Sequence, residues 1–349
     1  MVYLTDLSFH LSERPVVLFL PVAGAPVAAV PVPVMVVPVL EESKARGTPF
    51  ECRLFTYDDV TGPADAFTRA LEHAVLAGRR LGIEARRMRF LELDLMAHSG
   101  HAPVVEGADL VFASLRMQKD DVELAHMRRA VAIAEEAYRA ALHALRPGVT
   151  ERAVAAELTL QTLRAGSDSE LPFAPIIAAG PNGANPHAFP TDRRLEAGDL
   201  VTVDWGASWQ GYFADITRTV AIAGAPVPDA LHAAYDAVQA ANAAGRAAVR
   251  PGGTGQAVDR AARGAIEAVR LGAYFTHRTG HGLGLEGHEE PDMKEGSLLP
   301  LAVGMTFTVE PGVYIPGLGG VRIEDDMVVT DAGGESLTTL DRGWQVVGE

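Results

Sequence analysis

Four carboxylates and one imidazole toward the C-terminal end could do chemistry together. Asp204 and Asp215 lie in VTVDWGASWQGYFADITRTV, His281 in HRTGHGLGLEGHEE, Glu310 in FTVEPGVYIPG and Glu324 in GGVRIEDD. The runs VTVDWG and YFADITRTV are rich in β-branched and apolar residues and are joined by the turn-like ASWQG. A hairpin centred between Trp209 and Gln210 pairs residues whose numbers sum to 419, which sets Asp204 opposite Asp215. Their Cβ atoms would then be roughly 5 Å apart. At that distance two carboxylates repel by about 3 kcal/mol at an effective dielectric near 20. A cation between them is the simplest compensation.

With His281, Glu310 and Glu324 added, the donors form a hard, oxygen-rich set, suited to Mn, Co, Zn or Fe and poor for copper. Four carboxylates bring about −4 of charge, which two divalent ions cancel, so the set points to two metals. Two metals about 3.5–4 Å apart can bridge a water, lower its pKa and stabilise an oxyanion, hydrolysing an amide with no Ser or Cys nucleophile. Each piece alone is weak, since a strand Asp is more often a turn or edge residue, and EPG and RIED are common patterns. The glycines around His281 are more telling, because small neighbours let backbone approach a ligand. All five in this order make a specific set.

The remainder of the chain bounds what can position these groups. Its 349 residues predict two domains rather than one. With 30 basic against 45 acidic residues the net charge is −15, which argues against a nucleic-acid partner. The single cysteine, Cys52, excludes an intrachain disulfide and a thiolate cluster and fits a reducing, cytoplasmic compartment. Its neighbours Glu51 and Arg53 do not activate it, so it reads as structural. The apolar stretch from Val16 to Leu40 contains Pro21, Pro26, Pro31, Pro33 and Pro38. Each interior proline costs a helix roughly 3 kcal/mol, so this is no spanning helix and no membrane partner follows. The residues before Glu13 include Asp6 and no Lys or Arg, unlike a signal peptide. Short buried strands separated by proline turns fit better, with AAVPVPVMVVP either a hairpin that pairs with a second subunit or a core strand plus a turn.

Strand-like runs VVLFL, VMVVPVL, CRLFTY, LGIEA and DLVFA, with a helix near Asp65 to Gly78, predict a small α/β domain over residues 1–113. SLRMQKDD reads as the junction. Leu124, Met127, Val131, Ala134, Tyr138, Leu142 and Leu145 then recur at spacings of three and four, a long amphipathic helix stopped by Pro147-Gly148. A second helix over 151–165 ends at Gly166. Two more follow the aspartate hairpin, one opening at Pro228-Asp229 and one capped by Thr254 and closed at Gly272. Turned strand pairs rather than crossovers predict the α+β class for residues 114–349. There is no low-complexity tail and no short-period repeat.

The motifs VDWGA, GYFADITRT, HRTGHGLGLEGHE, EPGVYIPG and VRIEDD closely resemble those of the Xaa-Pro peptidase family, the prolidases and aminopeptidase P, across residues 114 to 349. YLTDLSFHLSERP and GAP resemble the family's N-terminal domain more loosely, with YLTDL standing where a YLTGF-like motif is usual. The resemblance implies a pita-bread catalytic domain, related to methionine aminopeptidase and creatinase, after a small creatinase/prolidase-like N-terminal domain. By motif it implies that Asp204 chelates one metal, Asp215 bridges two, His281 binds one, and Glu310 and Glu324 complete the shells. Two divalent ions per subunit are implied, manganese first, with cobalt or zinc as alternatives. Glu310 would also act as general base and acid. His288, seven residues after His281, corresponds to the histidine that stabilises the intermediate, and His187, 17 residues before Asp204, to the substrate-side histidine. His277, Arg322 and Tyr314 correspond to a proline pocket, and a homodimer formed through the N-terminal domain is implied as well.

The implied substrate has a tertiary amide nitrogen with no N–H, which ordinary proteases cannot grip. A dipeptidase must bind the proline carboxylate, whereas aminopeptidase P must leave the exit open for longer Xaa-Pro peptides. The compact chain, with one short N-terminal domain, favours prolidase, with Arg322, Arg14, Lys44, Arg46 or Arg53 as candidate carboxylate partners. A metal-free creatinase-like hydrolase or a non-catalytic binding module of the same shape should have lost ligands, and all five are present. The extra N-terminal domain and the His277/Arg322 pair disfavour methionine aminopeptidase.

Overall fold

The computed structural model describes residues 1–22 and 32–349, which fall into two units, Met1–Ser114 and Leu115–Glu349. In the first unit, Val17–Phe19 (β1), Val34–Pro38 (β2) and Arg53–Tyr57 (β3) form one sheet, with β2 antiparallel to β1 and parallel to β3. Arg80–Ile83 (β4) and Val104–Gly107 (β5) form a separate parallel pair. The helices are Val2–Thr5 (α1), Glu42–Ala45 (α2), Ala64–His73 (α3), Phe90–Ala97 (α4) and Asp109–Arg116 (α5). Phe67, Ala70 and Leu71 of α3 pack on Val34, Val36 and Phe55 of the three-stranded sheet.

Two expectations for this unit change. DLVFA, expected as a strand, forms part of α5, and the strand in this region is β5 instead. Five apolar residues fit either period, so the run alone does not discriminate. Part of AAVPVPVMVVP, residues 28–31, lies outside the described residues. Val34–Pro38 within it is a fully buried central strand.

The second unit contains Asp121–Ala141 (α6), Glu151–Arg164 (α7), Asp229–Ala248 (α8) and Gly255–Ala268 (α9). Asp120 caps α6, its side chain accepting from the N–H groups of Val122 and Glu123 while Glu123 accepts from the N–H of Asp120. The strands are Ile176–Ala179 (β6), Leu200–Trp209 (β7), Tyr212–Ile222 (β8), Gly280–Gly282 (β9), Glu289–Met293 (β10), Thr306–Val309 (β11), Gly312–Ile315 (β12), Gly319–Arg322 (β13), Asp325–Thr330 (β14), Gly333–Ser336 (β15) and Val346–Val347 (β16). One sheet has the order β16-β8-β7-β6 and another β10-β9-β11-β14-β15, while β12 and β13 form a hairpin. A bridge between Thr217 and Glu324 joins β8 to the segment between β13 and β14.

Strand alternation explains which side chains meet. Val201, Val203, Trp205 and Ala207 of β7, with Ala214, Ile216 and Val220 of β8, share a core with α6 and α7. Trp205 donates from Nε1 to the carbonyl of Ala134 at 2.9 Å and stacks on Tyr138. The opposite face of the same hairpin therefore carries Asp204, Asp215 and Thr217.

The register of that hairpin corrects the expected one. Gln210 and Gly211 form the turn, both with positive φ (53° and 77°), the two-residue geometry that matches the strand twist. Asp204 therefore faces Thr217, and Asp215 faces Gly206. The centre moves one position toward the glycine, which shifts the pairing by two residues. An even shift keeps every side chain on its face. The aspartates are thus diagonal neighbours rather than direct partners, roughly 7 Å apart, and their repulsion falls to about 2 kcal/mol.

Behind this face lies a buried polar network. Asp325, with no exposed surface, accepts from Arg218 Nη2 (2.8 Å), Arg342 Nε (2.7 Å) and Asn242 Nδ2 (2.9 Å). Arg218 also donates to the carbonyls of Glu324 (2.7 Å) and Leu340 (2.9 Å). Asp325→Ala leaves these cations without their shared anion and is expected to destabilise the protein by about 3–5 kcal/mol. Urea unfolding of the metal-free protein measures this, and a loss below about 1 kcal/mol would mean that the arginines find other partners. Among the described residues no helix is long and apolar enough to cross a membrane.

Candidate metal centre

The five expected donors reach the site from four local structures. Asp204 and Asp215 project from the polar face of the β7–β8 hairpin. His281 is the middle residue of β9, Glu310 follows β11, and Glu324 sits between β13 and β14. The glycines around His281 have a packing reason: a Cβ on Gly280 would lie 1.9 Å from the carbonyl oxygen of Thr308, and one on Gly282 would lie 2.3 Å from that of Glu290. They let neighbouring backbone close on β9 and so press His281 into the cluster.

Asp215, His281 and Glu324 each offer a ligand atom, and these atoms lie within 4.8 Å of one another. His281 Nε2 is 3.7 Å from Asp215 Oδ2 and 3.4 Å from Glu310 Oε1. His281 Nδ1 faces the carbonyl of Gly282 at 3.2 Å. That contact is a hydrogen bond only if Nδ1 carries the proton, which leaves the Nε2 lone pair facing the carboxylates. Burial, reinforced by His288, holds this imidazole well below its ordinary pKa and therefore neutral.

The carboxylates are shifted in the opposite direction. Burial first, then the charge of Asp204, raises Asp215 well above the usual carboxylate range. Burial first, then Asp215, does the same to Glu324. Burial pushes Glu310 up to about 7, although Arg322 opposes it. The Oδ1 atoms of Asp204 and Asp215 are buried with no hydrogen-bond partner among the described residues. Orphaned anionic oxygens beside a neutral imidazole lone pair are the donor chemistry of a divalent-cation site, so these residues fit a metal.

Arg322 organises the residues expected on the substrate side. It donates from Nη2 to Asp204 Oδ2, from Nε to Thr217 Oγ1 at 3.2 Å and from Nη1 to the hydroxyl of Tyr314 at 2.7 Å. The Tyr314 hydroxyl meets His277 Nε2 at 2.9 Å, and His277 Nδ1 meets the carbonyl of Arg278 at 2.7 Å. With Nδ1 donating to that carbonyl, Nε2 accepts from Tyr314, an order that requires a neutral ring. Burial accordingly lowers His277 to about 4. Burial also raises Tyr314 to about 12, keeping its hydroxyl protonated.

His288 packs edge-on against His281, with ring centroids 4.1 Å apart. Its loop is clamped by Glu289, which accepts from Lys119 Nζ at 3.1 Å and from the N–H of Glu286 at 3.1 Å. His187 is the outlier of the set. It is solvent-exposed on a loop whose Pro186 carbonyl accepts from Arg322 Nη1 at 3.3 Å. Buried Glu151 fastens that loop, accepting from the N–H groups of Ala179 (2.8 Å) and Thr191 (2.9 Å) and from Asn182 Nδ2 (2.9 Å). The fold thus gathers Asp204, Asp215, His281, Tyr314, Arg322 and Glu324 into one buried group, with His277 and Glu310 half-buried at its edge and His288, like His187, exposed. Two residues that sequence reasoning passed over belong to it. Thr308 accepts from the N–H of His281 at 3.2 Å and donates to Glu310 Oε1 at 3.4 Å. Thr217 donates to Glu324 Oε2 at 2.6 Å. The available signal was strand parity, since both lie two residues from a ligand and so on its face.

Comparisons with known proteins give the family and the fold. The sequence profile described as Metallopeptidase family M24 matches residues 125–331. A Bacillus subtilis protein named as the uncharacterized peptidase YqhT is 42% identical over 265 residues, which is 74% of this chain and 73% of the relative. A dipeptidase from Pyrococcus horikoshii OT3 has the same fold at TM-score 0.89 and 36% identity, covering 99% of this chain and 93% of that one. A recombinant prolidase from Thermococcus sibiricus reaches TM-score 0.91 at 32% identity, covering 99% and 91%. The expected likeness to the Xaa-Pro peptidases and to their pita-bread fold is borne out. The chain belongs to metallopeptidase family M24 and is a metallopeptidase that acts with divalent metal ions.

Proposed function

We propose that this metallopeptidase hydrolyses the bond between a peptide's first residue and a following proline, and that its preferred substrate is the Xaa-Pro dipeptide. The observation that carries the reading is the buried group Asp215, His281 and Glu324, whose ligand atoms lie within 4.8 Å of one another, with Glu310 Oε1 3.4 Å from His281 and orphaned oxygens on Asp204 and Asp215. Asp204, Asp215, His281, Glu310 and Glu324 would hold two divalent ions, manganese first. Bound there, the ions supply Lewis acidity, lowering the pKa of a water and polarising the scissile carbonyl.

The chain's own residues do the rest. Burial gives Glu310 a high proton affinity, so its carboxylate can take the proton of the attacking water and return it to the leaving nitrogen. The leaving proline nitrogen needs that proton, because it departs as a neutral amine rather than as an amide anion. His288, edge-on to His281, faces the developing oxyanion, and His187 closes the substrate side. Neutral His277 and protonated Tyr314, held in order by Arg322, offer the proline ring a wall without a competing charge.

The dipeptide preference is supported by the names of two solved relatives, a dipeptidase and a prolidase, which share nearly the whole length of the chain. A Xaa-Pro dipeptide should be cleaved faster than the matching Xaa-Pro-Yaa tripeptide, and a Xaa-Ala dipeptide should be poor. Liquid chromatography of the three digests, beside metal analysis of protein purified without added ions, reads the outcome. A large tripeptide preference would make the enzyme an aminopeptidase P, and failure on both proline peptides would sink the specificity.

A further inference from the structure

Thr217 is fully buried, faces Asp204 in the β7–β8 ladder and lies two residues beyond Asp215 on the same face. Its hydroxyl stands between two partners whose hydrogen-bonding roles are fixed. Arg322 Nε, 3.2 Å away, can only donate. Glu324 Oε2, 2.6 Å away, can only accept when the carboxylate is ionised. With Glu324 ionised, as a bound cation would hold it, the hydroxyl accepts from the arginine and donates to the glutamate. The backbone repeats the grip, since the carbonyl of Thr217 accepts from the N–H of Glu324 at 3.1 Å. A glutamate has free torsions that would let its carboxylate swing away from Asp215 and His281, and this double hold removes them.

We propose that Thr217 is the positioning residue of the metal centre, fixing the plane of the Glu324 carboxylate toward the cation and the Arg322 guanidinium against Asp204. The proposal rests on the reading of Glu324 as a metal ligand. Serine keeps the hydroxyl and its two hydrogen bonds, whereas valine keeps the shape and loses both. Groups that orient a metal ligand typically contribute a factor of 10–100 in metal affinity.

The test is calorimetric titration of metal-free wild type, Thr217→Val and Thr217→Ser with Mn²⁺, alongside thermal unfolding of each without metal. Thr217→Val should bind Mn²⁺ about 10–100-fold more weakly, and Thr217→Ser should restore most of the loss. At limiting Mn²⁺ the valine variant should also show a lower kcat that added Mn²⁺ recovers, which a purely structural defect would not do. If valine prevents folding, Thr217→Ala removes the hydroxyl without adding volume and is read in the same way. Wild-type affinity in the valine or alanine variant, or an equal loss in the serine variant, would overturn the proposal. A wild type that binds no Mn²⁺ would instead overturn the metal reading beneath it.

Discussion

Asp215→Asn is expected to lose tight divalent-cation binding and peptide hydrolysis together, while making the metal-free protein more stable. The side chain keeps its size, and its anchor is untouched, because the N–H of residue 215 donates to Asp326 Oδ2 at 3.1 Å through the backbone. Only the charge and one acceptor are removed. That charge sits among Asp204, Glu310 and Glu324, where burial and like charges hold the carboxyl far above its ordinary pKa. In the metal-free protein this carboxyl stays neutral only by keeping a proton that the unfolded chain has released, a cost the amide does not carry, and the new amide can donate to His281 Nε2, 3.7 Å from the present carboxyl. In a chain of 349 residues the gain should appear as a rise of a few degrees in Tm, about 1–2 °C per kcal/mol. Activity should fall by more than the roughly 10–100-fold typical of residues that only orient a metal ligand. Scanning calorimetry and Mn²⁺ titration check the two halves separately. Unchanged Mn²⁺ affinity would take Asp215 out of the site, and a lowered metal-free Tm would make it a structural residue.

Stability should depend on pH differently with and without metal. Asp215, Glu324 and Asp326 are raised well above their usual values and Glu310 to about 7, in each case chiefly by burial. A carboxyl whose folded pKa exceeds its unfolded one keeps a proton that the unfolded chain has released. Its contribution is greatest below the unfolded value, near 4, and is lost as pH rises through the folded one. For Glu310 alone, a rise from 4.5 to about 7 corresponds to about 3 kcal/mol. The buried histidines act in the opposite sense. His277, lowered to about 4, and His281, lowered well below its usual value, are neutral when folded. They add stability as pH rises toward their unfolded value, near 6.5, and nothing beyond it.

Below about pH 6.5 the two sets partly cancel; above it only the carboxylates act. Metal-free protein should therefore lose stability as pH rises above about 6.5. Protein saturated with Mn²⁺ should lose less, because a bound cation favours the ionised forms of Asp215, Glu310 and Glu324 and competes with their protons, leaving only Asp326 to titrate. The gap in Tm between the two forms should widen steadily from about pH 5.5 to about pH 8. Parallel curves across that range would mean that these carboxyls are not where the cation binds.

Much of this site could be read along the chain, and the reason lies in how strands work. A period of two assigns side chains to faces regardless of register, so Asp204 and Asp215 fall on one face even though the expected hairpin centre was one position off. The turn itself was recoverable, since Gln210-Gly211 supplies the glycine that a two-residue hairpin favours. Helices with caps and long periodic faces, such as α6, were equally readable. DLVFA was not, because a run shorter than two helical turns carries no period.

The donor types, their order and the polar face they share were settled by local chemistry, because residue identity and strand alternation act over a few positions. Which atoms meet was settled elsewhere. Arg322 reaches Asp204 across 118 positions, and Thr217 reaches Glu324 across 107. The His277 ring order depends on Tyr314, 37 positions away. Such contacts depend on distances of a few tenths of an ångström between segments brought together only when both sheets pack, and no spacing along the chain encodes them. The folded chain is what turns a row of acidic motifs into a cluster with orphaned oxygens and a neutral imidazole.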